Sequence, residues 1–148
     1  MPNANHYTRI ICAVVLSFTW KYSLQAQDHQ KVNVEKLVET SNSWNGTVLP
    51  HYPKGQPKVS ILKYTIPPHT KLHMHKHPVI NAGVLLSGKL TVISEQEDTL
   101  YLRPGDPIVE LVNQWHFGRN DHAEPAEIVV FYANTVNGPP LVLLKPED

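Results

Sequence analysis

The chain has 148 residues and a mass of 16.7 kDa, with thirteen Lys+Arg balanced by thirteen Asp+Glu and nine histidines. That length holds one domain with a real core, and the balanced charge supplies neither a basic face for nucleic acid nor an acidic tail. Thirteen prolines, seven glycines and many Val, Ile, Thr and Tyr residues favour short strands and turns over long helices, so the chain reads as all-β.

Residues 1–26 are of a different kind. Arg9 precedes the apolar run Ile10–Trp20, and Lys21–Gln25 leads to the small residue Ala26. This is the pattern of a secretory signal peptide cut near Ala26, which predicts a periplasmic or secreted protein. The run is too short for a comfortable membrane span, which needs about twenty apolar residues, so no stable membrane insertion is expected after cleavage. Cys12 lies inside the apolar run and is the only cysteine. The mature chain therefore has no disulfide, no thiolate nucleophile and no cysteine ligand for zinc. Cleavage removes Arg9 and Lys21 and no acid, leaving eleven basic against thirteen acidic residues.

Residues 27–56 read as a leader, an ambiguous strand or helical turn at Val32–Thr40, a turn at Trp44-Asn45-Gly46 and a proline-punctuated loop. Residues 57–148 read as one sandwich or barrel domain. Its predicted strands are Val59–Ile66, Lys71–His77, Val79–Leu86, Lys89–Ser94, Thr99–Leu102, Ile108–Val112, Trp115–Arg119, Ala126–Tyr132 and Leu141–Leu144. Ser87-Gly88 predicts a tight hairpin, and Pro104-Gly105-Asp106 a further turn. Short strands with turns at this spacing indicate a sandwich or barrel.

The chemistry concentrates in the second of these strands. His73, His75 and His77 alternate, which on one regular strand turns all three imidazoles to one face. Same-face neighbours are roughly 6.5–7 Å apart, so His73/His75 or His75/His77 can share a metal ion, but His73 and His77 cannot easily do so. A third ligand must come from elsewhere, and His116 is the candidate. Gly83–Lys89 has the glycine and lysine spacing of a phosphate-binding loop, but Leu90 stands where Ser or Thr is required, and the segment is strand-like.

These residues resemble the cupin superfamily. Its first motif runs Gly, five residues, His-x-His, three or four residues, Glu, six residues, Gly. Here His75-Lys-His77 is followed by Asn81 and Gly88 at those spacings, with His69 at the leading Gly position. In the second motif Gly105 lies eleven residues before His116, and His116-Phe-Gly-Arg-Asn120 completes it, with Leu111 and Asn113 at the Pro and Gly positions. The resemblance implies a cupin-type β-barrel (a double-stranded β-helix, or jelly roll) with His75, His77 and His116 as metal ligands and His73 nearer the mouth. The implied cofactor is one divalent transition metal: Fe, Mn, Ni, Cu or Zn.

The family's metal-binding glutamate position holds Asn81. Three neutral histidines and an amide leave the ion's charge uncompensated, which favours an anionic or enolate-forming chelator. Asn81, Glu110 and His73 are the candidates for a further ligand or a supporting contact. Glu110 sits among Ile108, Val109, Leu111 and Val112, where an acid must be paired or exposed. Gly83 is expected to leave space for a ligand or to form a bulge. Trp44, Trp115, Phe117 and Tyr132 are candidate pocket walls. The expected function is metal-dependent chemistry on a small polar or anionic molecule, of dioxygenase or isomerase/lyase type. A non-catalytic small-ligand or metal-binding module and a metal-free association barrel are the alternatives. The expected assembly is a homodimer.

Overall fold

The computed structural model describes residues 31–146. The signal peptide, its cleavage point and Cys12 lie outside the described residues. Of the described residues, Lys31–Val34 fall in one unit and Glu35–Pro146 in a second. Residues 31–40 carry no regular structure and are exposed, so the ambiguous segment Val32–Thr40 is neither strand nor helix.

The second unit is all-β, as the composition requires. Its strands are β1 (Pro57–Ile66), β2 (Thr70–Lys71), β3 (His75–Lys76), β4 (Ile80–Ser87), β5 (Leu90–Ser94), β6 (Thr99–Leu102), β7 (Pro107–Val109), β8 (His116–Asn120), β9 (Ala126–Thr135) and β10 (Leu143–Leu144). One sheet has the order β1-β9-β4-β7. The other has the order β10-β3-β8-β5-β6, with β2 also paired to β8. Every named pairing is antiparallel. Alternation buries one face of each sheet: in β9, Ile128, Val130 and Tyr132 point inward, while Phe131 points out. Leu85, Leu90, Val92 and Ile108 join them in the core.

Two connections differ from the sequence expectation. Ser87-Gly88 is not a hairpin, because β4 and β5 lie in different sheets. Gly88 (φ 73°) carries the chain across from one sheet to the other, and a Cβ there would lie 2.4 Å from the Pro125 carbonyl oxygen. The predicted strand Lys71–His77 is also interrupted. Lys71 pairs with Arg119 and His75 with His116, so four steps on one strand oppose three on the other. The extra residue is a β-bulge, which breaks the two-residue alternation between His73 and His75.

Asn120, the last residue of the second motif, is buried and acts as a tie. Its Nδ2 donates to the carbonyls of Ile66 (3.2 Å), Pro67 (3.1 Å) and Glu124 (2.8 Å), and its Oδ1 accepts from the His122 amide at 3.0 Å. One side chain thereby joins the ends of β1 and β8.

Candidate metal centre

His75 and His116 are brought together by strand pairing, and His77 follows two residues on. The His77 backbone leaves β3 to form an isolated bridge with Val112, and its carbonyl accepts from the Asn113 amide at 2.8 Å. The ring centroids lie 4.5 Å apart for His75 and His116, and 5.1 Å apart for each of the other two pairs. One nitrogen from each ring lies within 4.8 Å of the others. His73 is outside this trio. Beyond the bulge it is exposed at the rim of the cavity, where its carbonyl accepts from the His75 ring.

Each ring is held by the same device. Nδ1–H of His75 donates to the His73 carbonyl (2.8 Å), that of His77 to Leu141 (2.9 Å) and that of His116 to Gln114 (3.0 Å). A carbonyl only accepts, so the proton of each neutral imidazole sits on Nδ1, and Nε2 offers its lone pair. Burial keeps the rings neutral. It pushes His77 down to about 3 and lowers His75 and His116 as well, with the backbone bonds opposing in each case. Three neutral nitrogens facing one point fit a divalent ion.

Glu110 lies in the segment after β7, buried, with its carbonyl accepting from the Ser43 hydroxyl at 2.8 Å. Its Oε2 lies 3.5 Å from His116 Nε2. Both atoms are buried and lack a hydrogen-bond partner among the described residues. Desolvation pushes the carboxyl up to about 7, against the pull of His75. Two unpaired buried polar atoms side by side would both be satisfied by a cation between them.

The histidines and Glu110 line a cavity of about 300 Å³, at the small end of ligand sites. Its wall is largely apolar, with Ile66, Leu72, Leu90, Val92, Ile128 and Val130 among its residues. Tyr132 adds a hydroxyl 2.9 Å from that of Tyr64; burial first, then this bond, raises its pKa. Gly118 keeps the cavity open, a contribution that its place between His116 and Asn120 foreshadows.

Other candidate residues do different work. Asn81 is fully buried but does not line the cavity; its Nδ2 donates to the Val79 carbonyl at 3.1 Å, and its Oδ1 has no partner among the described residues. Gly83 leaves space for a strand, since a Cβ there would lie 2.6 Å from the Val129 carbonyl oxygen. Of the four candidate aromatic walls only Tyr132 lines the cavity. Phe117 and Trp115 lie beneath the ammonium groups of Lys71 and Lys76, at 4.2 and 4.6 Å, because alternation from His116 turns both outward. Trp44 packs on the core.

Residues 62–132 match the family Cupin_2, a cupin domain. No curated protein matches the sequence. Among solved structures, an uncharacterized conserved protein with a double-stranded β-helix domain from Klebsiella pneumoniae is 19% identical, with a TM-score of 0.51 over 76% of this chain and 100% of that one. The polyketide cyclase RemF from Streptomyces resistomycificus is 16% identical, with a TM-score of 0.52 over 64% of each chain. The DMSP lyase DddQ from Ruegeria pomeroyi is 19% identical, with a TM-score of 0.51 over 58% of this chain and 42% of that one. The chain thus spans less than half of the lyase and under two thirds of the cyclase, and at these identities the likeness is one of fold. Two-sheet topology, the spacing of both histidine motifs and the family match agree: the chain carries a cupin domain and belongs to the cupin superfamily.

Proposed function

We propose that this is an exported metal-dependent cupin, in which His75, His77 and His116 hold one divalent transition ion (Fe, Mn, Ni, Cu or Zn) for chemistry on a small polar or anionic molecule. The observation that carries the reading is the common pinning of three Nδ1–H groups to backbone carbonyls, which leaves three Nε2 lone pairs converging beside a closely lined cavity. A bound ion would supply Lewis acidity and, for a redox metal, electron transfer, consistent with isomerase/lyase or dioxygenase chemistry. The protein's own contribution is placement. The apolar wall excludes water and receives the carbon body of the ligand, while its oxygen-bearing end faces the histidines. The Tyr132 hydroxyl, fixed by Tyr64, offers a hydrogen bond for orientation. His73 at the exposed rim is placed to exchange protons with solvent.

The same apolar wall also suits a non-catalytic small-ligand module. Metal-dependent turnover separates the two readings. Elemental analysis of protein purified from its native compartment should find one transition ion per chain, and His116→Ala should abolish it while leaving the barrel folded. Protein that is folded but metal-free, and that takes up none of these ions, would exclude the reading. Export is supported by the leader sequence, and N-terminal sequencing should find Gln27 first, within two or three residues. A homodimer is supported by the outer face of the β1-β9 pair, where Ile61 (66% exposed) lies opposite Phe131 (42% exposed), and sedimentation equilibrium tests it.

A further inference from the structure

Asn81 and Glu110 are neighbours on adjacent strands. Ala82 pairs with Val109, and the Glu110 amide donates to the Asn81 carbonyl at 3.0 Å, which extends the β4-β7 ladder by one step. Residues opposed in this way project to the same side of the sheet, with Cβ atoms about 4.5–5.5 Å apart. A carboxylate can therefore reach the histidines from either strand. Here Asn81 occupies the β4 position, and the acid stands across from it.

We propose that Glu110 is the carboxylate ligand of this centre, delivered from the end of β7 in place of a glutamate at position 81. The inference rests on the metal-binding reading above and adds a fourth donor to it. Two atoms bound to one ion at about 2.1 Å lie roughly 3.0–3.5 Å apart, and Glu110 Oε2 is 3.5 Å from His116 Nε2. A direct ion pair explains the contact less well. His116 already spends its Nδ1 proton on Gln114, so pairing would need a second proton on Nε2 of a buried ring, and the two atoms make no hydrogen bond. A cation between them satisfies both. Glu110 lines the cavity and Asn81 does not. Ser43 and Trp44 fix the backbone here, through the Ser43 hydroxyl on the Glu110 carbonyl and the Trp44 amide on the Val109 carbonyl. With Glu110 bound, one negative charge faces the ion, which moderates the preference for anionic ligands expected of an all-neutral donor set.

The test is titration of the chelator-stripped full chain with zinc(II) and manganese(II), followed by calorimetry. Glu110→Gln should weaken binding at least about tenfold, more for manganese, whose preference for carboxylate oxygen is stronger. Asn81→Ala should stay within about threefold of wild type, since its side chain donates no ligand. The double variant Asn81→Glu/Glu110→Gln should regain most of the loss, because the acid returns from the facing strand. Equal affinity in wild type and Glu110→Gln, or an equal loss in Asn81→Ala, overturns the proposal. Should Glu110→Gln fail to fold, the infrared difference spectrum of wild type on adding zinc(II) decides: a carboxylate band supports ligation, and its absence refutes it. Wild type that binds neither ion refutes the metal-binding reading itself, which is a separate result.

Discussion

His75 and His116 are direct cross-strand partners, with ring centroids 4.5 Å apart. The pairing of β3 with β8 therefore brings two of the three histidines together, and the bulge preceding His75 decides which histidines belong to the site. His77→Ala should abolish stoichiometric metal in a folded protein, whereas His73→Ala should retain it, as measured by elemental analysis after dialysis. His73 sits on the far side of the bulge at the rim. Loss of metal in His73→Ala with retention in His77→Ala would mean that the strand is registered differently.

Two glycines on inward positions should respond unequally to the same substitution. A methyl at position 83 meets the Val129 carbonyl oxygen at 2.6 Å, backbone that cannot swing aside. Gly83→Ala should cost about 1–3 kcal/mol in urea denaturation. A methyl at position 118 meets only Leu72 and Leu90 side chains, both at 3.4 Å. Gly118→Ala should stay within about 1 kcal/mol of wild type while narrowing the cavity. Equal destabilisation of the two would contradict the packing described.

Asn120 should prove structural. Its side chain is buried, and truncation removes the amide that the carbonyls of Ile66, Pro67 and Glu124 share and the acceptor of the His122 amide. Asn120→Ala should lose about 2–4 kcal/mol of stability with metal stoichiometry unchanged. Metal loss in a variant of undiminished stability would place Asn120 in the site instead.

The strands and the histidine trio were legible because alternation and motif spacing are local properties. Strand boundaries and partners were less so. Nothing in Leu72-His73-Met74 marks a bulge, since the extra residue is defined only against β8. Ser87-Gly88 carries a turn signal, but whether the next strand pairs back or crosses to the other sheet depends on distant partners. Glu110 was ambiguous because Ile108, Val109, Glu110 and Leu111 are all buried, which erases the alternation that would have shown its direction. Gly83 reads in the sequence as space for a ligand or as a bulge, and it makes room for β9, a distinction that sequence cannot express.

The metal-stripped protein should show an acid limb set by the histidines and blunted by Glu110. Burial, then the neighbouring rings, takes His77 to about 3 from an ordinary 6.5, against the bond to Leu141. The folded chain therefore resists a proton that the unfolded chain accepts. Stability from neutral His77 is complete above 6.5 and is lost as the pH falls toward 3, with His75 and His116 acting in the same direction. Glu110, raised by burial from 4.5 to about 7, acts oppositely: its contribution is complete below 4.5 and is lost as the pH rises to about 7. Between pH 4.5 and 6.5 the two slopes oppose, and below 4.5 the histidines act without it. Urea midpoints of the wild type should therefore decline gently from pH 6.5 to 4.5 and steeply below. Glu110→Gln removes the opposing slope, so its decline should already be steep from 6.5 downward. Parallel profiles for the two proteins would show that the Glu110 carboxyl does not hold its proton in the folded, metal-free barrel.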